Sequence, residues 1–481
     1  MERYFIWGVG YQGTIIYELL KDEIIIEAFI DNNQKLIGST YKNLKIISFD
    51  EYLKLENKST IIISPRKSGS IVDVLKANQI DNYVILSDLN DLDSVKVSSA
   101  HLYDVVKAKI FNMQRDLIDN YIKFRYLNQT SRNITTNWQE RFAKVKNPVF
   151  SSISNKSLTQ VYEIIFNKKI PSVAIGNFPD QTDLLISYGL TFNFAVERLI
   201  MKAEIEGIPR IFGEDGLIYG IANKNMLGLD LKYVQSHSTI IDDKGLYINA
   251  MGVSNMEAIL NSDFQLSQEQ LKRAAKLINI IKINKLSKYN HQPIIKLNVG
   301  NPERKKVLVV DQVFADQSIN YGWANEQTFT DMLEAAIKEN PDADILVKTH
   351  PEGNVTKGYF TDMKFEQDNV YKISFGINPI SLLEQVDKVY VCTSQMGFEA
   401  LMCGKEVHVF GMPFYAGWNA ANERLKCPRR TKIRSVEEIF YVAYIMCSIY
   451  VSYKTNSICE IEQAIDEILE LREEYFSQYK D

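Results

Sequence analysis

The sequence is poor in cysteine, and this scarcity narrows the kinds of site that the chain can carry. Five cysteines occur among 481 residues, all in the last quarter of the chain, and no two form a C-x-x-C pair. Neither a zinc site nor a disulfide framework is therefore supported. A reducing cytoplasm is the simplest setting for such a chain.

Long apolar runs and an excess of positive charge are also missing. The longest apolar stretch, residues 439–451, is interrupted by Cys447 and Ser448. It is too short to span a bilayer, and we predict a buried helix there. A net charge of −5, from 55 basic and 60 acidic residues, disfavours nucleic acid as a partner.

We expect no targeting segment at the beginning of the chain. Met1-Glu2-Arg3 leads directly into a short apolar strand, without the cleavage pattern of a signal peptide. We expect a cytoplasmic protein, with peripheral contact at the inner face of the cytoplasmic membrane left open. A length of 481 residues suggests two or three domains.

Residues 1–92 have the pattern of a small Rossmann-like domain. Gly8, Gly10 and Gly13 separate an apolar strand from a helix, and a second strand ends in Asp31. This spacing is the dinucleotide-binding fingerprint, although a single G-x-G-x-x-G is a weak signal. Two alternatives stay open, because the loop can bind a nucleotide or sugar nucleotide, or can keep its glycines for packing and bind nothing. The first alternative would make the chain a nucleotide-dependent sugar-modifying enzyme.

Three further regions follow. Residues 93–146 are charged and have helical periodicity, which predicts a helical connector. Strands and helices then alternate in residues 147–300 and 301–481, and we expect the last helices to cross back to the preceding domain. Such alternation predicts parallel sheets with helices on both faces. We therefore predict an α/β fold with a GT-B-like pair of Rossmann-type domains and an extra N-terminal Rossmann-like domain.

Residues 238–248 alternate apolar side chains around a Lys-Gly turn, which predicts a hairpin.

Polar side chains cluster where three apolar strands of the last region end. The strands cover about residues 307–310, 345–347 and 389–392, and the polar residues that follow them are Asp311, Gln312, Asp316, Lys348, His350, Thr393 and Ser394. In an open α/β sheet, ligands bind beyond the carboxyl ends of the strands. The pattern predicts a catalytic cleft at this edge.

Two adjacent carboxylates, Glu214 and Asp215, follow a strand-like stretch at residues 209–212. Proximity of two negative charges and partial burial raise one pKa, so the pair can supply a general acid or base. The alternative is an ordinary turn, because Asp-Gly is a strong turn former.

Seven segments of the chain occur in a characteristic order. They are Glu214-Asp215-Gly216, residues 239–247, the Asp311-Gln312 segment with Asp316 and Ser318-Ile319, His350-Pro351, residues 393–401, residues 413–418 and Cys427-Pro428-Arg429-Arg430-Thr431. In this order they resemble the segments of capsule polysaccharide synthesis and export proteins, the retaining β-Kdo transferases that use CMP-Kdo. The resemblance covers roughly Lys168 to Leu471 and leaves out the first 150 residues.

The resemblance implies roles for individual residues. Asp316 is similar to the family's nucleophile, which would hold the sugar as a covalent ester. His350 resembles the histidine that faces the phosphate of CMP, and Ser394 with the following helix N-terminus would hold that phosphate. Glu214 is the candidate acid/base for the acceptor hydroxyl, and Asp215 is the second choice.

Further binding residues follow from the same resemblance. Those expected to bind the CMP-sugar donor are Gln312, Lys348, Pro351, Thr393, Ser394, Gln395, Gly397 and Glu399. Those expected to contact acceptor or donor are Tyr415, Trp418, Arg429 and Arg430. Structural alternatives stay open for some of the residues named from the resemblance, because Asp316 can cap a helix, Gln312 and Ser394 can be ordinary loop hydrogen-bonders and Glu399 can form a salt bridge. The two aromatic residues can pack a loop, and the two arginines can lie in a solvated turn.

One departure from the family pattern concerns the identity of the donor sugar. Leu217-Ile218-Tyr219-Gly220 stands where the family pattern has an aromatic residue followed by Arg-Ser. The donor sugar can therefore be Kdo or another CMP-activated ulosonic acid such as pseudaminic acid.

We expect a retaining transferase that acts on a capsule or other surface polysaccharide, with an oligosaccharide or lipid-linked glycan as acceptor and capsule assembly proteins as further partners. No metal and no cofactor is expected. The alternative is a non-catalytic capsule assembly or export protein that binds glycan precursor.

Overall fold

A computed structural model describes most of the chain, which folds as two compact units. Unit one lies within residues 1–131, 145–155 and 170–210, and unit two within 132–144, 156–169 and 211–481. The described residues are 3–21, 24–55, 59–64, 69–85, 138, 142–151, 156–173, 178–189, 194–223, 226, 228–314, 316–349, 358–365 and 367–479. Most of the predicted connector at 93–146 lies outside them.

The described strands are numbered in chain order. They are β1 (Arg3–Trp7), β2 (Ile25–Ile30), β3 (Thr40–Tyr41), β4 (Leu44–Ile47), β5 (Thr60–Ile63), β6 (Tyr83–Ile85), β7 (Pro148–Ser151), β8 (Ser172–Val173), β9 (Leu184–Tyr188), β10 (Arg210–Asp215), β11 (Ser238–Asp242), β12 (Lys306–Val310), β13 (Asp344–Lys348), β14 (Val370–Ile373), β15 (Lys388–Val391), β16 (Glu406–Val409), β17 (Asn422–Glu423), β18 (Ser448–Ser452) and β19 (Ser457–Cys459).

The described helices are numbered in the same way. They are α1 (Tyr11–Leu20), α2 (Phe49–Leu53), α3 (Gly69–Ala77), α4 (Lys156–Phe166), α5 (Phe194–Ile205), α6 (Leu231–Val234), α7 (Asn255–Leu260), α8 (Gln268–Ile283), α9 (Gln317–Tyr321), α10 (Glu326–Glu339), α11 (Pro379–Glu384), α12 (Met396–Met402), α13 (Val436–Phe440) and α14 (Ile461–Gln478), with a π-helical segment at Tyr441–Met446. None of these helices is long and apolar enough to cross a membrane.

Unit one contains the predicted Rossmann-like sheet. Its six strands lie in the order β3-β4-β2-β1-β5-β6, and β1 is parallel to both β2 and β5. The side chains of β1 and β5 are almost all buried because helices cover such sheets. Strands β7, β8 and β9 of unit one are parallel as well, with β7 in the middle.

Unit two is built on a second six-stranded sheet, in the order β14-β13-β12-β15-β16-β17. Strand β12 is parallel to β13 and β15, so the carboxyl ends of these three strands meet at one edge. Their continuous Val, Leu and Ile runs are buried, as expected for a parallel sheet covered on both faces. The three neighbouring strand ends predicted from the sequence are therefore confirmed.

Antiparallel pairing joins the remaining strands of unit two. Strand β11 pairs with β10 on one side and with β18 on the other, and β18 also pairs with β19. The predicted hairpin at residues 238–248 is wrong, because only β11 is a strand. The carboxylate of Asp242 accepts hydrogen bonds from the backbone N–H groups of Lys244, Gly245 and Asn255, which ends the strand and turns the chain away.

The prediction of one buried helix at 439–451 is wrong in part. Helix α13 ends at Phe440, the π-helical turn follows, and the chain then enters β18. The reason is the open edge of β11, where Ser448, Ile449 and Tyr450 find backbone partners. The segment is buried, as predicted.

Candidate active site

A cavity of about 530 Å³ opens in unit two at the carboxyl ends of β12 and β15. This volume lies within the range of small-molecule sites. The lining combines carboxylates, amides, hydroxyls and aromatic rings. Its residues are Glu214, Asn223, Tyr247, Ile248, Lys288, Tyr289, Asp311, Gln312, Val313, Asp316, Gln317, Ser318, Thr393, Ser394, Gln395, Pro413 and Phe414.

Side chains at the ends of β12 and β15 tie the two strands together. The amide of Gln312 donates to the Thr393 hydroxyl at 3.0 Å, and its oxygen accepts the Thr393 N–H at 3.0 Å. The buried carboxylate of Asp311 accepts N–H groups from Gln312, Tyr359 and Phe360. Burial raises the pKa of Asp311, although these three bonds work against the rise. Asp311 and Gln312, which directly follow β12, thus have fixed positions in the cavity wall.

Asp316 is an exposed residue in the cavity lining and also the N-cap of α9. Its Oδ1 accepts hydrogen bonds from the backbone N–H and the hydroxyl of Ser318, at 2.8 and 2.6 Å. Oδ2 takes part in neither bond. The residue therefore has both features that the sequence suggested as alternatives, a helix cap and a carboxylate at the cleft.

Glu214 lines the same cavity, whereas Asp215 is buried beside it. Strand β10 holds both residues through its pairing with β11, and the Thr239 hydroxyl donates to the Glu214 carbonyl at 2.9 Å. A Cβ at Gly213 would lie 1.7 Å from the buried Tyr162 hydroxyl. The glycine lets β10 pass close to α4, and this places Glu214 at the cavity. The alternative of a simple turn therefore does not describe Glu214.

Lys288 is a cavity residue that the sequence did not reveal. It follows α8 in a loop, where no strand end or spacing marks it. Burial works to lower the pKa of Lys288, but nearby acidic groups outweigh it and the pKa lies above its ordinary value; these groups are Tyr247, Asp215, Glu214 and Asp316. The cavity therefore contains a charged lysine among carboxylates.

Tyr247, Asn223 and Tyr289 were also missed. The buried Tyr247 ring packs edge-on against Phe414, with centroids 5.6 Å apart, and the Asn223 amide donates to the Tyr289 hydroxyl at 3.1 Å. They lie in turns and irregular segments, so hydrophobic periodicity does not distinguish them.

A second cavity, of about 220 Å³, adjoins the first and shares Lys288, Asp311 and Ser394 with it. It is also lined by Lys348 and Glu399. Burial lowers the pKa of Lys348 to about 8, and its Nζ donates to the Thr349 carbonyl at 2.6 Å. Both predicted donor-binding residues therefore lie next to the main cavity.

Glu399 is buried in α12, and burial raises its pKa to about 7. Its carboxylate accepts the Ser287 hydroxyl at 2.6 Å and the Gln395 amide at 3.4 Å. The Gln395 amide also donates to the Leu217 carbonyl at 2.8 Å. Glu399 therefore holds the loop that carries Lys288, and within the described part of the chain it forms no ion pair of the kind that the sequence left open.

Ser394 and Gly397 lie where β15 passes into α12. The Ser394 hydroxyl accepts the Met396 N–H at 3.3 Å, and its carbonyl accepts the Tyr415 hydroxyl at 2.6 Å. A Cβ on Gly397 would lie 2.1 Å from the Tyr415 hydroxyl. Ser394 lines both cavities, whereas Gly397 allows the close approach of Tyr415.

The structure places the four expected acceptor or donor contacts in packing instead of at the cavity. Tyr415 and Trp418 are fully buried. Arg429 and Arg430 both bond the buried carboxylate of Glu257, at 2.8 and 3.0 Å. These residues support the segment that contributes Pro413 and Phe414 to the wall.

The remaining predicted residues form two groups. His350 and Pro351 lie outside the described residues. In the N-terminal loop, a Cβ at Gly13 would lie 1.9 Å from the Gly8 carbonyl oxygen, whereas a Cβ at Gly10 would meet nothing. Asp31 accepts the Val9 and Asn33 N–H groups at 3.0 and 2.9 Å. These contacts favour the packing alternative for the loop.

Two family models match the chain. The model described as capsule polysaccharide biosynthesis protein matches residues 294–455, and the one described as C2185-like, N-terminal matches residues 1–86. The first covers the parallel sheet of unit two and most of the cavity lining. The second covers the Rossmann-like sheet of unit one.

Among curated proteins, the capsule polysaccharide modification protein LipA of Neisseria meningitidis serogroup B is 37% identical over 341 residues, 66% of this chain and 47% of LipA. The lipopolysaccharide-processing protein LpsZ of Rhizobium meliloti is 34% identical over 286 residues, 58% of this chain and 62% of LpsZ. The chain thus spans about half to three fifths of the length of these relatives.

A solved structure matches as well. Thermosulfurimonas dismutans KpsC, β-Kdo 2,4 transferase, is 31% identical, with a TM-score of 0.61 over 67% of this chain and 98% of the KpsC chain. The match confirms the GT-B-like α/β fold predicted from the sequence.

Proposed function

Because the chain belongs to the capsule polysaccharide biosynthesis family, we propose that unit two is a glycosyltransferase of surface polysaccharide synthesis. It moves a CMP-activated 3-deoxy-ulosonic acid, Kdo or a relative such as pseudaminic acid, onto a glycan acceptor. The reaction retains anomeric configuration and needs no metal or further cofactor. The donor and an oligosaccharide or lipid-linked glycan are its partners.

One observation carries this proposal. A single cavity is lined by Glu214 from β10 and by Asp316 beyond β12. Two carboxyl groups in one site are able to carry out a double displacement, since one can attack carbon while the other moves a proton. Gln312, Thr393 and Ser394 line the same space with polar groups for the donor.

The proposed reaction has two displacements. In the first, an Asp316 carboxylate oxygen attacks the anomeric carbon, the bond from that carbon to the phosphate oxygen breaks, and CMP leaves with the electron pair. In the second, the acceptor hydroxyl attacks the same carbon and gives its proton to Glu214, while the bond to Asp316 breaks. Two inversions leave the configuration unchanged. His350 remains the proposed hydrogen-bond donor to the CMP phosphate.

A donor screen tests this function. The full chain is incubated with CMP-Kdo, CMP-pseudaminic acid or CMP-neuraminic acid, with and without oligosaccharide acceptors, and CMP release and product mass are measured. We expect CMP release and a glycan product with one of the first two donors. Asp316→Ala should abolish both, whereas Lys285→Gln, on the loop outside the cavity, should leave both unchanged.

Two results would favour other functions. Binding of lipid-linked glycan without CMP release from any donor would favour a non-catalytic assembly or export protein. Thermal stabilisation by NAD or a nucleoside diphosphate sugar that Gly10→Val abolishes would assign the chemistry to the N-terminal loop.

A further inference from the structure

We propose that Lys288 binds the carboxylate of the donor sugar and thereby selects an acidic sugar for transfer. This inference rests on the proposed function and deepens it, because it assigns to one side chain the recognition of the sugar's acid group. No sequence motif marks Lys288, and its assignment comes from the position and surroundings of the side chain.

The backbone of Lys288 is held on several sides. The Tyr219 N–H donates to the Lys288 carbonyl at 3.0 Å, and the Lys288 N–H bonds the Glu399 carboxylate. The neighbouring Asn290 is fully buried, and its amide donates to the carbonyls of Gly220 and Ser287 at 2.7 and 3.0 Å. The backbone of such a supported loop is fixed before a ligand arrives, so little backbone ordering accompanies binding.

Acidic side chains surround Lys288 in the cavity. Glu214 and Asp316 line the cavity and Asp215 lies behind Glu214. An acidic sugar that entered a site lined only by carboxylates would be repelled, and the like charges would work against binding. A charged lysine among these carboxylates offsets that repulsion, and it offers up to three donors to a carboxylate.

The place of Lys288 favours the sugar's carboxylate over the donor phosphate. Lys288 lines the same cavity as both proposed reacting carboxylates, Glu214 and Asp316. A ulosonic acid carries its carboxylate on the anomeric carbon, the atom that Asp316 is proposed to attack. The phosphate is assigned to the strand ends near Thr393 and Ser394. The carboxylate on the attacked carbon is therefore the ligand assigned to Lys288.

The segment 217–220 adds a second argument. It contains no arginine, and instead its backbone donates to the Lys288 carbonyl through Tyr219 and Gly220, at 3.0 and 3.4 Å. The segment 217–220 therefore carries no cation of its own and instead fixes the loop that carries Lys288.

The test compares binding of CMP-Kdo and of CMP to the full chain by calorimetry. Lys288→Gln should weaken CMP-Kdo binding roughly 10- to 100-fold, the range for losing a hydrogen bond to a charged group, and should leave CMP binding unchanged. Lys288→Arg should keep most of the affinity, because the charge remains. Lys285→Gln is the matched control, since Lys285 pairs with Glu384 at 2.6 Å and lies outside the cavity lining.

A second measurement uses the unchanged protein and thus does not depend on how a variant folds. The wild-type chain should prefer CMP-Kdo over its C1-carboxamide analogue by a factor similar to the loss in Lys288→Gln, and Lys288→Gln should no longer distinguish them. Equal loss of CMP and CMP-Kdo binding in Lys288→Gln would overturn the inference, as would no loss at all. Failure of the wild-type chain to bind any CMP-ulosonic acid would remove the proposed function and this inference with it.

Discussion

Replacing Glu257 by alanine should destabilise unit two by about 3–5 kcal/mol, the usual cost of breaking a buried ion pair from one side. The Glu257 side chain is 4% exposed and bonds Arg430, which is 2% exposed, at 3.0 Å. Arg430 also donates to the carbonyls of Pro413 and Ala416, each at 2.6 Å. Those neutral oxygens cannot neutralise the guanidinium, so the substitution removes the carboxylate that pairs with this buried charge.

The assay is guanidinium unfolding, with donor binding measured separately on folded protein. Arg430→Gln should cost a similar amount, because among the described residues it leaves the buried Glu257 carboxylate with Arg429 as its one ion-pair partner. Arg429→Gln should cost about 1 kcal/mol, since Arg429 is 34% exposed. An Arg430→Gln variant with wild-type stability that no longer binds donor would refute the reasoning and return Arg430 to the binding site.

Three further predictions concern buried groups of unit two. Burial lowers the pKa of His237 from 6.5 to about 4. The free energy of unfolding should therefore be highest above pH 6.5 and fall by about 3 kcal/mol as the pH drops towards 4. The free energy of unfolding of His237→Leu, measured across this pH range, should lack that loss. Burial raises the pKa of Glu399 from 4.5 to about 7. Its contribution to the free energy of unfolding is fully present below pH 4.5, and about 3 kcal/mol is lost as the pH rises through 7. Glu399→Gln should lack this pH dependence, and an unchanged pH dependence in either variant would contradict the assignment. Gly213→Ala should cost about 1–3 kcal/mol in thermal unfolding because its Cβ would overlap the Tyr162 hydroxyl, and wild-type stability would show that β10 can move away.

The sequence predicts the parallel sheet of unit two and the polar residues at its edge because both have a simple pattern. Strands buried on both faces are continuous Val, Leu and Ile runs, and the first polar residues after them lie at the carboxyl ends. Asp311 and Thr393 could be located in this way. Glu214 could be located for the same reason, as a carboxylate near the end of an apolar strand.

Residues placed by interactions distant in sequence could not be predicted. Lys288 depends on Glu399, 111 positions further along the chain, and on the backbone of Tyr219. Strand β18 forms because β11 has an open edge, which overrides the helical pattern of the preceding residues. The two arginines after Pro428 resembled ligand contacts, and only the burial of Glu257 indicates their structural role.

The proposed mechanism requires that Asp316 becomes covalently bonded to the donor sugar, and mass spectrometry of the protein can detect this bond. The chain is mixed with CMP-Kdo or CMP-pseudaminic acid without acceptor, quenched in acid and digested. We expect one added ulosonic acid residue on the peptide that contains Asp316, and its disappearance when acceptor is supplied. Glycan transfer by Asp316→Ala at the wild-type rate, or an adduct on another residue, would contradict it.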